Sequence, residues 1–364
     1  MLNVVNAVMD THFLTPVGPT PVPKPAQSSP NKQARSEHGA QRYLVSGKYR
    51  LYPFDKSARP YFDQAVAQLG VTLSDYSFTN NVIWLCQASG FYQIIEGCFC
   101  LFGLSGNGLT MLLPPLGEAT RQKRALKICV KIMDHYNPSP AQARLDFVYK
   151  DFLQALDLDS DGGLPLINGE RWHVEVTNPD YIYRTQDLIE LRGNAFKTKR
   201  NEINQFRRAY PNHALIPFNV DHRDAARALV NTWTENRIRT LPEGSVEEFL
   251  YNLEMERKAI NRTIALYEEL GLEGLSLFID GNLEGFTFGE RLNSDVANVL
   301  IEKTNFNIPG AAQYLFREFT KVFSDCTYIN VGDDLGFENL RRVKMSYRPA
   351  MFGEKIILRR MLHE

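Results

Sequence analysis

Long apolar runs are missing from this chain. No stretch of about 18 or more apolar residues occurs among its 364 residues, so no segment reads as a membrane-crossing helix. The N-terminus also lacks the basic region, apolar core and small-residue cleavage site of a signal peptide. A strong charge of one sign is missing too. Lys+Arg 41 against Asp+Glu 42 gives a formal net charge of -1, which excludes a global pull towards nucleic acid or membrane and leaves any such binding to local patches. Cysteine is scarce: Cys86, Cys98, Cys100, Cys129 and Cys326 are odd in number and form neither a CxxC pair nor a zinc spacing, so reduced, mostly buried thiols are expected. Neither G-x-S-x-G nor HExxH occurs, which sets aside the familiar nucleophilic hydrolases and zinc proteases. What remains is a composition 44% hydrophobic, enough for two domains of ordinary size in a soluble protein, expected to be cytoplasmic.

Residues 1–41 form a Pro-rich tail with Pro16, Pro19, Pro21, Pro23, Pro25 and Pro30 among Ser, Gln and Lys, a composition that predicts extended, poorly packed chain and an alternative use as a partner-binding segment. A helix is expected at about Phe62 to Leu69, then strands at Tyr92 to Ile95, Cys98 to Leu104 and Leu109 to Leu113. Gly103-x-x-Gly106-x-Gly108 mimics a phosphate loop, but a strand follows it rather than a helix, so a hairpin turn is predicted. A helix from about Glu118 to Tyr136 carries Arg121, Lys123, Arg124, Lys127 and Lys131 as a solvated basic face. Asp157-Leu158-Asp159-Ser160-Asp161-Gly162 resembles the start of a calcium loop, but its twelfth position is Asn168 and Pro165 interrupts it, so an acidic surface turn is the expectation.

In the last third, Ser276 to Ile279 and Gly285 to Gly289 read as strands joined by Asp280-Gly281-Asn282-Leu283, because an Asp-Gly pair supplies the φ > 0 residues of a tight hairpin. Val296 to Ile301 reads as a buried central strand ending in Glu302-Lys303-Thr304-Asn305. Pro309-Gly310 then opens a helix from Ala311 to Phe323 with Leu315, Phe316, Phe319, Val322 and Phe323 on its core side. This layout resembles the core of the GNAT acyltransferases, in which the donor lies where two strands splay apart and its phosphates meet the next helix start, where unpaired N–H groups and the helix dipole attract anions. The superfamily's Gln/Arg-x-x-Gly-x-Gly/Ala turn aligns with Asn307-x-x-Gly310-x-Ala312, with Asn in place of Gln or Arg and with Pro309 deleting one donor.

A strongly basic helix is expected over Ala195 to Tyr210. Phe196, Ile203, Phe206 and Tyr210 share one face, and Lys197, Arg200, Asn204, Arg207 and Arg208 the neighbouring one, either solvated or holding phosphates. Lys199 falls among the apolar residues, where it must snorkel to water or meet an anion or carboxylate. Around this helix the runs Asp180-Tyr181-Ile182-Tyr183, Asp187 to Gly193, Lys199-Arg200-Asn201-x-Ile203-Asn204-x-Phe206 and Tyr210-Pro211 are similar to the family of soluble proteins related to the C-terminal domain of bacterial phosphatidylglycerol lysyltransferase. Further matches are Leu73 to Asn80 with Ile83-Trp84, Pro115-Leu116-Gly117, Gly289-Glu290, Ile301-Glu302-Lys303, Asp334-Leu335-Gly336, Leu340-Arg341, Lys344, Ser346-Tyr347 and Pro349. The resemblance covers about Tyr43 to the C-terminus.

It implies an α+β protein of two tandem GNAT-like domains with mixed sheets flanked by helices, residues 42–210 and 211–364, with the donor site in the second. It also implies transfer of an amino acid from aminoacyl-tRNA to a lipid, peptide or small-molecule acceptor by direct attack, with no cofactor and no metal. The alternatives are an acyl-CoA-dependent N-acyltransferase and a non-catalytic GNAT-like binding module. An activated ester needs chiefly an oriented acceptor, a proton acceptor and oxyanion stabilisation. Glu290, Glu302, Asp333 and Asp334 are the candidate carboxylates. Lys199, Arg200, Asn201, Asn204, Asn305, Gly310, Asn330, Arg342 and Lys344 are the candidate substrate or phosphate ligands. The structural alternatives are a Glu302-Lys303 ion pair and Asp334 capping a helix begun near Phe337. The family pattern commonly has Glu two positions after the Asn, whereas Asn330-Val331-Gly332 precedes Asp333-Asp334 here, which leaves that role to Asp333 or to no residue.

Overall fold

The computed structural model describes residues 43–85, 88–158, 163–239 and 247–361. The Pro-rich tail, Cys86 and residues 159–162 of the acidic turn lie outside the described residues. The strands are β1 (Leu44–Ser46), β2 (Tyr49–Pro53), β3 (Ser89–Ile95), β4 (Cys98–Ser105), β5 (Gly108–Met111), β6 (Arg144–Val148), β7 (Asp157–Leu158), β8 (Pro165–Ile167), β9 (Glu170–Val176), β10 (Asp180–Arg184), β11 (His213–Pro217), β12 (Glu273–Ile279), β13 (Asn282–Arg291), β14 (Val296–Thr304), β15 (Tyr328–Asn330), β16 (Met351–Gly353) and β17 (Ile356–Arg360). The helices are α1 (Arg59–Ala67), α2 (Phe78–Trp84), α3 (Ala119–Tyr136), α4 (Lys150–Gln154), α5 (Thr185–Glu190), α6 (Lys197–Ala209), α7 (Arg223–Arg239), α8 (Glu247–Leu270), α9 (Ala311–Thr320) and α10 (Glu338–Met345).

Two mixed sheets result, in the orders β1-β2-β3-β4-β5-β6-β17-β9-β8-β7 and β11-β12-β13-β14-β15-β10-β16. Each contains one parallel pair, β5 with β6 and β14 with β15. Parallel neighbours need a crossover, which α3 provides in the first sheet and α9 in the second. The order of two antiparallel strand pairs, a helix and a parallel strand is thus used twice, as β3-β4-β5-α3-β6 and as β12-β13-β14-α9-β15. The turns obey local chemistry. Asp280 and Gly281 both have positive φ, 48° and 82°, between Ile279 and Asn282 of the second hairpin, as a type I′ turn requires. Gly108 closes the β4–β5 hairpin opposite Ser105, so the glycine-rich run is a turn.

The sheets do not divide at residues 210/211. β10 pairs with β15 and β16 in the second sheet, and β17 pairs with β6 and β9 in the first. The outer edges of β6 and β15 would otherwise present unpaired N–H and C=O groups, and each half of the chain covers the other's edge. Helix α6 belongs with the second sheet as well: Phe196, Ile203 and Phe206 pack with Leu277, Ile279 and Leu315. One apolar cluster joins the halves, with Phe54, Phe62, Phe78 and Phe99 on one side and Phe218, Ile264, Phe286 and Phe288 on the other.

Candidate functional site

The site is built where β14 and β15 part. They pair only from Val296–Asn298 to Tyr328–Asn330. Beyond that point β14 carries a bulge: Gly289 faces Val299 and Phe288 faces Ile301, which leaves Leu300 without a partner on β13. β15 ends at Asn330, and the chain turns through Gly332 at φ 67°. A cavity of about 50 Å³ lies in this fork, walled by Asn298 to Leu300 on β14, by Val331 to Asp333 after β15, and by Asn80 and Trp84 of α2. Space is open at Gly332, where an added Cβ would meet nothing nearer than Ser74 Oγ at 3.9 Å.

Three carboxylates converge on one ammonium at this cavity. Lys355 Nζ lies 2.7 Å from Asp75, 2.9 Å from Asp180 and 3.0 Å from Asp333. Burial pushes the Asp75 carboxyl up to about 7 against the pull of Lys355. Asp180 is buried just as deeply, yet Lys355, the Ser74 N–H at 2.6 Å and Asn330 Nδ2 at 2.8 Å together hold it below the usual carboxylate range. The loop after β15 is fixed from below by Lys344, whose Nζ donates to Val331 O at 2.7 Å, to Gly332 O at 3.1 Å and to Asp333 O. Burial lowers the Lys344 ammonium to about 8.

Of the thirteen residues singled out in the sequence, only Asp333 lines this cavity. Asp334 is fully buried in a structural knot, accepting from Tyr181 Oη at 2.5 Å, Arg341 Nε at 2.8 Å and the Gly336 N–H at 2.9 Å. Asn330 is equally engaged, donating to Asp180 and Thr72 and accepting from Gly332 N–H. Glu290 accepts from Ser77 Oγ and from Thr79 Oγ1 at 2.7 Å, tying β13 to the start of α2. Arg200 donates to the carbonyls of Leu191 and Gly193 and so closes the end of α5. Asn201 and Asn204 on α6 and Arg342 on α10 are exposed. Asn305 bonds Glu284 Oε2 at 2.8 Å across the β13–β14 end.

Lys199 does not snorkel. It is buried, 3.8 Å from Glu202 and 4.6 Å above the Tyr347 ring, and burial lowers its pKa. Glu302 and Lys303 are no ion pair, because neighbours on a strand point to opposite faces. Lys303 turns to Glu256 of α8 at 2.8 Å, whereas neither Glu302 carboxylate oxygen has a hydrogen-bond partner among the described residues. Burial therefore raises the Glu302 pKa well above its usual value. An unfolded chain releases that proton near pH 4.5 while the folded one keeps it, so stability falls as pH rises above that point. Glu302→Gln removes the penalty. Urea midpoints of the variant are expected to exceed the parent's by a margin that grows from pH 5 to pH 8; a margin independent of pH rejects the protonated state.

Gly310 has φ 85° and opens α9, but the expected anion site is covered. An added Cβ there would lie 2.4 Å from Glu202 O and 2.9 Å from Phe206 Cβ, so α6 rests directly on the turn, and Ala311, Ala312 and Gln313 are buried beneath it. The sequence reading missed Asp75, Asp180 and Lys355 as a unit, although Asp75 and Asp180 stood inside the runs that carried the resemblance.

Two mixed sheets, each with one parallel pair joined by a helical crossover, define a tandem GNAT-like α+β fold. Residues 66–359 match the family model described as phosphatidylglycerol lysyltransferase, C-terminal, and the chain belongs to that family. A conserved protein of unknown function from Bacteroides thetaiotaomicron is 26% identical, with a TM-score of 0.72 over 85% of this chain and 99% of that one. L-PGS from Bacillus licheniformis is 14% identical, with a TM-score of 0.58 over 86% of this chain and 94% of that one. The C-terminal domain of a putative lysylphosphatidylglycerol synthetase from Agrobacterium fabrum is 13% identical, with a TM-score of 0.56 over 82% and 92%. An uncharacterized protein of Mycoplasmoides gallisepticum is 24% identical over 217 residues, 57% of this chain and 66% of its own length. Among the described residues, no helix is long and apolar enough to cross a membrane.

Proposed function

We propose that the protein is an aminoacyl transferase that moves an amino acid from aminoacyl-tRNA to an amine or hydroxyl acceptor, with transfer at the β14/β15 fork. The observation that carries this reading is the carboxylate cluster there: Asp75, Asp180 and Asp333 all lie within 3.0 Å of Lys355 Nζ, while the other nearby ammonium, Lys344, is spent on the backbone carbonyls of Val331, Gly332 and Asp333. A partly accessible carboxylate at the mouth of such a cluster favours a cation, and an aminoacyl ester brings one in its α-ammonium. Asp333, the most accessible of the three, binds that ammonium. Asp75, with its carboxyl near 7, is matched to accept the proton of the attacking group. The nucleophile adds to the ester carbonyl, and the ester C–O bond then breaks, releasing the tRNA 3′ oxygen with a proton. Acyl-CoA is disfavoured as donor, because α6 lies over the Gly310 turn that its phosphates would need.

The test combines purified protein, a tRNA pool charged with labelled amino acids, and cell lipids or a cell extract as acceptor, beside an acetyl-CoA reaction. Label is expected to pass from tRNA into a new product, and Asp333→Asn is expected to slow this by about 10²-fold or more, the loss of one partner of a buried charge pair, while circular dichroism shows the variant folded at the assay temperature. Turnover of acetyl-CoA alone, or transfer unchanged in Asp333→Asn, overturns the reading.

A further inference from the structure

The outer end of the first sheet carries a shelf of rings that no part of the described chain covers. Val45 pairs with Arg50 and Tyr52 with Tyr92, so strand alternation puts Tyr43, Val45, Arg50, Tyr52, Tyr92 and Ile94 on one face. Helix α1 covers the rest of that face and adds Tyr61 at its border. Tyr92 lies 6.2 Å from Tyr52 and 6.5 Å from Tyr61, and is itself backed by Phe99 at 5.0 Å and 8°. Arg50 sits 4.4 Å over the Tyr43 ring. Exposure is 37% at Tyr43, 47% at Val45, 36% at Tyr52, 53% at Tyr61 and 42% at Ile94. Scattered exposed apolar residues need no explanation, but a contiguous patch of them marks a docking surface.

The geometry points to one occupant. A row of exposed tyrosine rings is what a polyproline II segment docks on, because such a segment is already extended and loses little entropy on binding. The sequence supplies the prolines for one at Pro16, Pro19, Pro21, Pro23, Pro25 and Pro30. The chain outside the described residues ends at residue 42, beside Tyr43 on the shelf itself. Residues 31–42 span up to ~40 Å when extended, which is reach enough, and tethering raises the local concentration of the segment to about the millimolar range. Charge agrees as well. Lys24 lies between Pro23 and Pro25, and the exposed Asp55 at the entry to α1 has its carboxylate hydrogen-bonded to Ser57. We propose that residues 16–30 dock in cis on the tyrosine shelf formed by β1, β2, β3 and α1.

The test uses the full chain with the photo-crosslinking residue p-benzoylphenylalanine in place of Tyr61, an exposed position that leaves the core untouched. Illumination is expected to join position 61 to residues 16–30 of the same molecule, with a yield independent of protein concentration. The combined replacement of Pro19, Pro21, Pro23 and Pro25 by Ala abolishes the adduct. Tyr52→Ala lowers its yield about tenfold, the loss of one packed aromatic anchor. Three results overturn the proposal: no adduct within residues 16–30, an adduct unchanged in the proline variant, or an adduct that joins two chains and grows with concentration, which would assign the shelf to a second copy.

Discussion

Lys355→Met is expected to destabilise the protein by about 3–5 kcal/mol near neutral pH, because removing one partner of a buried ionic cluster leaves the others uncompensated. Methionine keeps most of the length and volume of lysine, so the effect is electrostatic. In the parent, Asp75 and Asp180 titrate in opposite senses. Asp180 has a folded pKa below its ordinary 3.8, so its contribution is present above that pH and is lost only as pH falls through the lower value. Asp75 is raised to about 7. Between pH 4 and 7 the folded chain therefore holds a proton that the unfolded chain has released, and stability declines as pH rises across that window. Deleting the ammonium removes the lowering influence on both carboxyls, and burial then raises both. The variant is expected to lose stability with rising pH more steeply than the parent, so the gap between their urea midpoints widens from pH 5 to pH 8. A gap that stays constant over this range would mean that the three carboxylates are not held by Lys355.

The same cluster shows where a sequence stops being readable. The hairpin at Asp280-Gly281, the buried strand from Val296 and the amphipathic α9 all follow from patterns within a few residues of one another. Asp75 and Lys355 are 280 positions apart, and Asp180 and Lys355 are 175 apart. They meet only because β10 and β17 each cross to the other sheet, an exchange that no local periodicity encodes. The position of Asp333 just past β15 was legible from that strand, although the loop that carries it is fixed by Lys344 and Lys355 from farther along the chain. Glu302-Lys303 misled for a related reason. Adjacency in sequence suggests a pair, while the strand sends the two groups to opposite faces, one to Glu256 and the other into the core near Tyr347. Glu290 and Asp334 have the right chemistry and strand positions for a site, but their oxygens are consumed by Ser77 and Thr79, and by Tyr181, Arg341 and Gly336.

Gly310→Ala is expected to cost about 2–5 kcal/mol, from two separable causes. The first is conformational: at φ 85° a β-carbon strains the backbone by about 1–2 kcal/mol. The second is steric. The new methyl would sit 2.4 Å from Glu202 O, a backbone atom in the middle of α6 that no side-chain rotation moves aside, and overpacking of that kind costs about 1–3 kcal/mol. Gly281→Ala separates the two, because Gly281 has φ 82° at the second central position of its type I′ turn, the same left-handed region, but nothing within 4 Å of the added carbon, so it carries the backbone cost alone. Thermal melts of both variants should show Gly310→Ala as the more damaging, and amide exchange should locate its extra loss in α6, where Ile203 and Phe206 seat that helix against α9. Equal losses in the two variants would show that α6 does not press on the turn. The argument that its cover keeps phosphate groups from the start of α9 would then fall, and with it the reason for setting acyl-CoA aside as the donor.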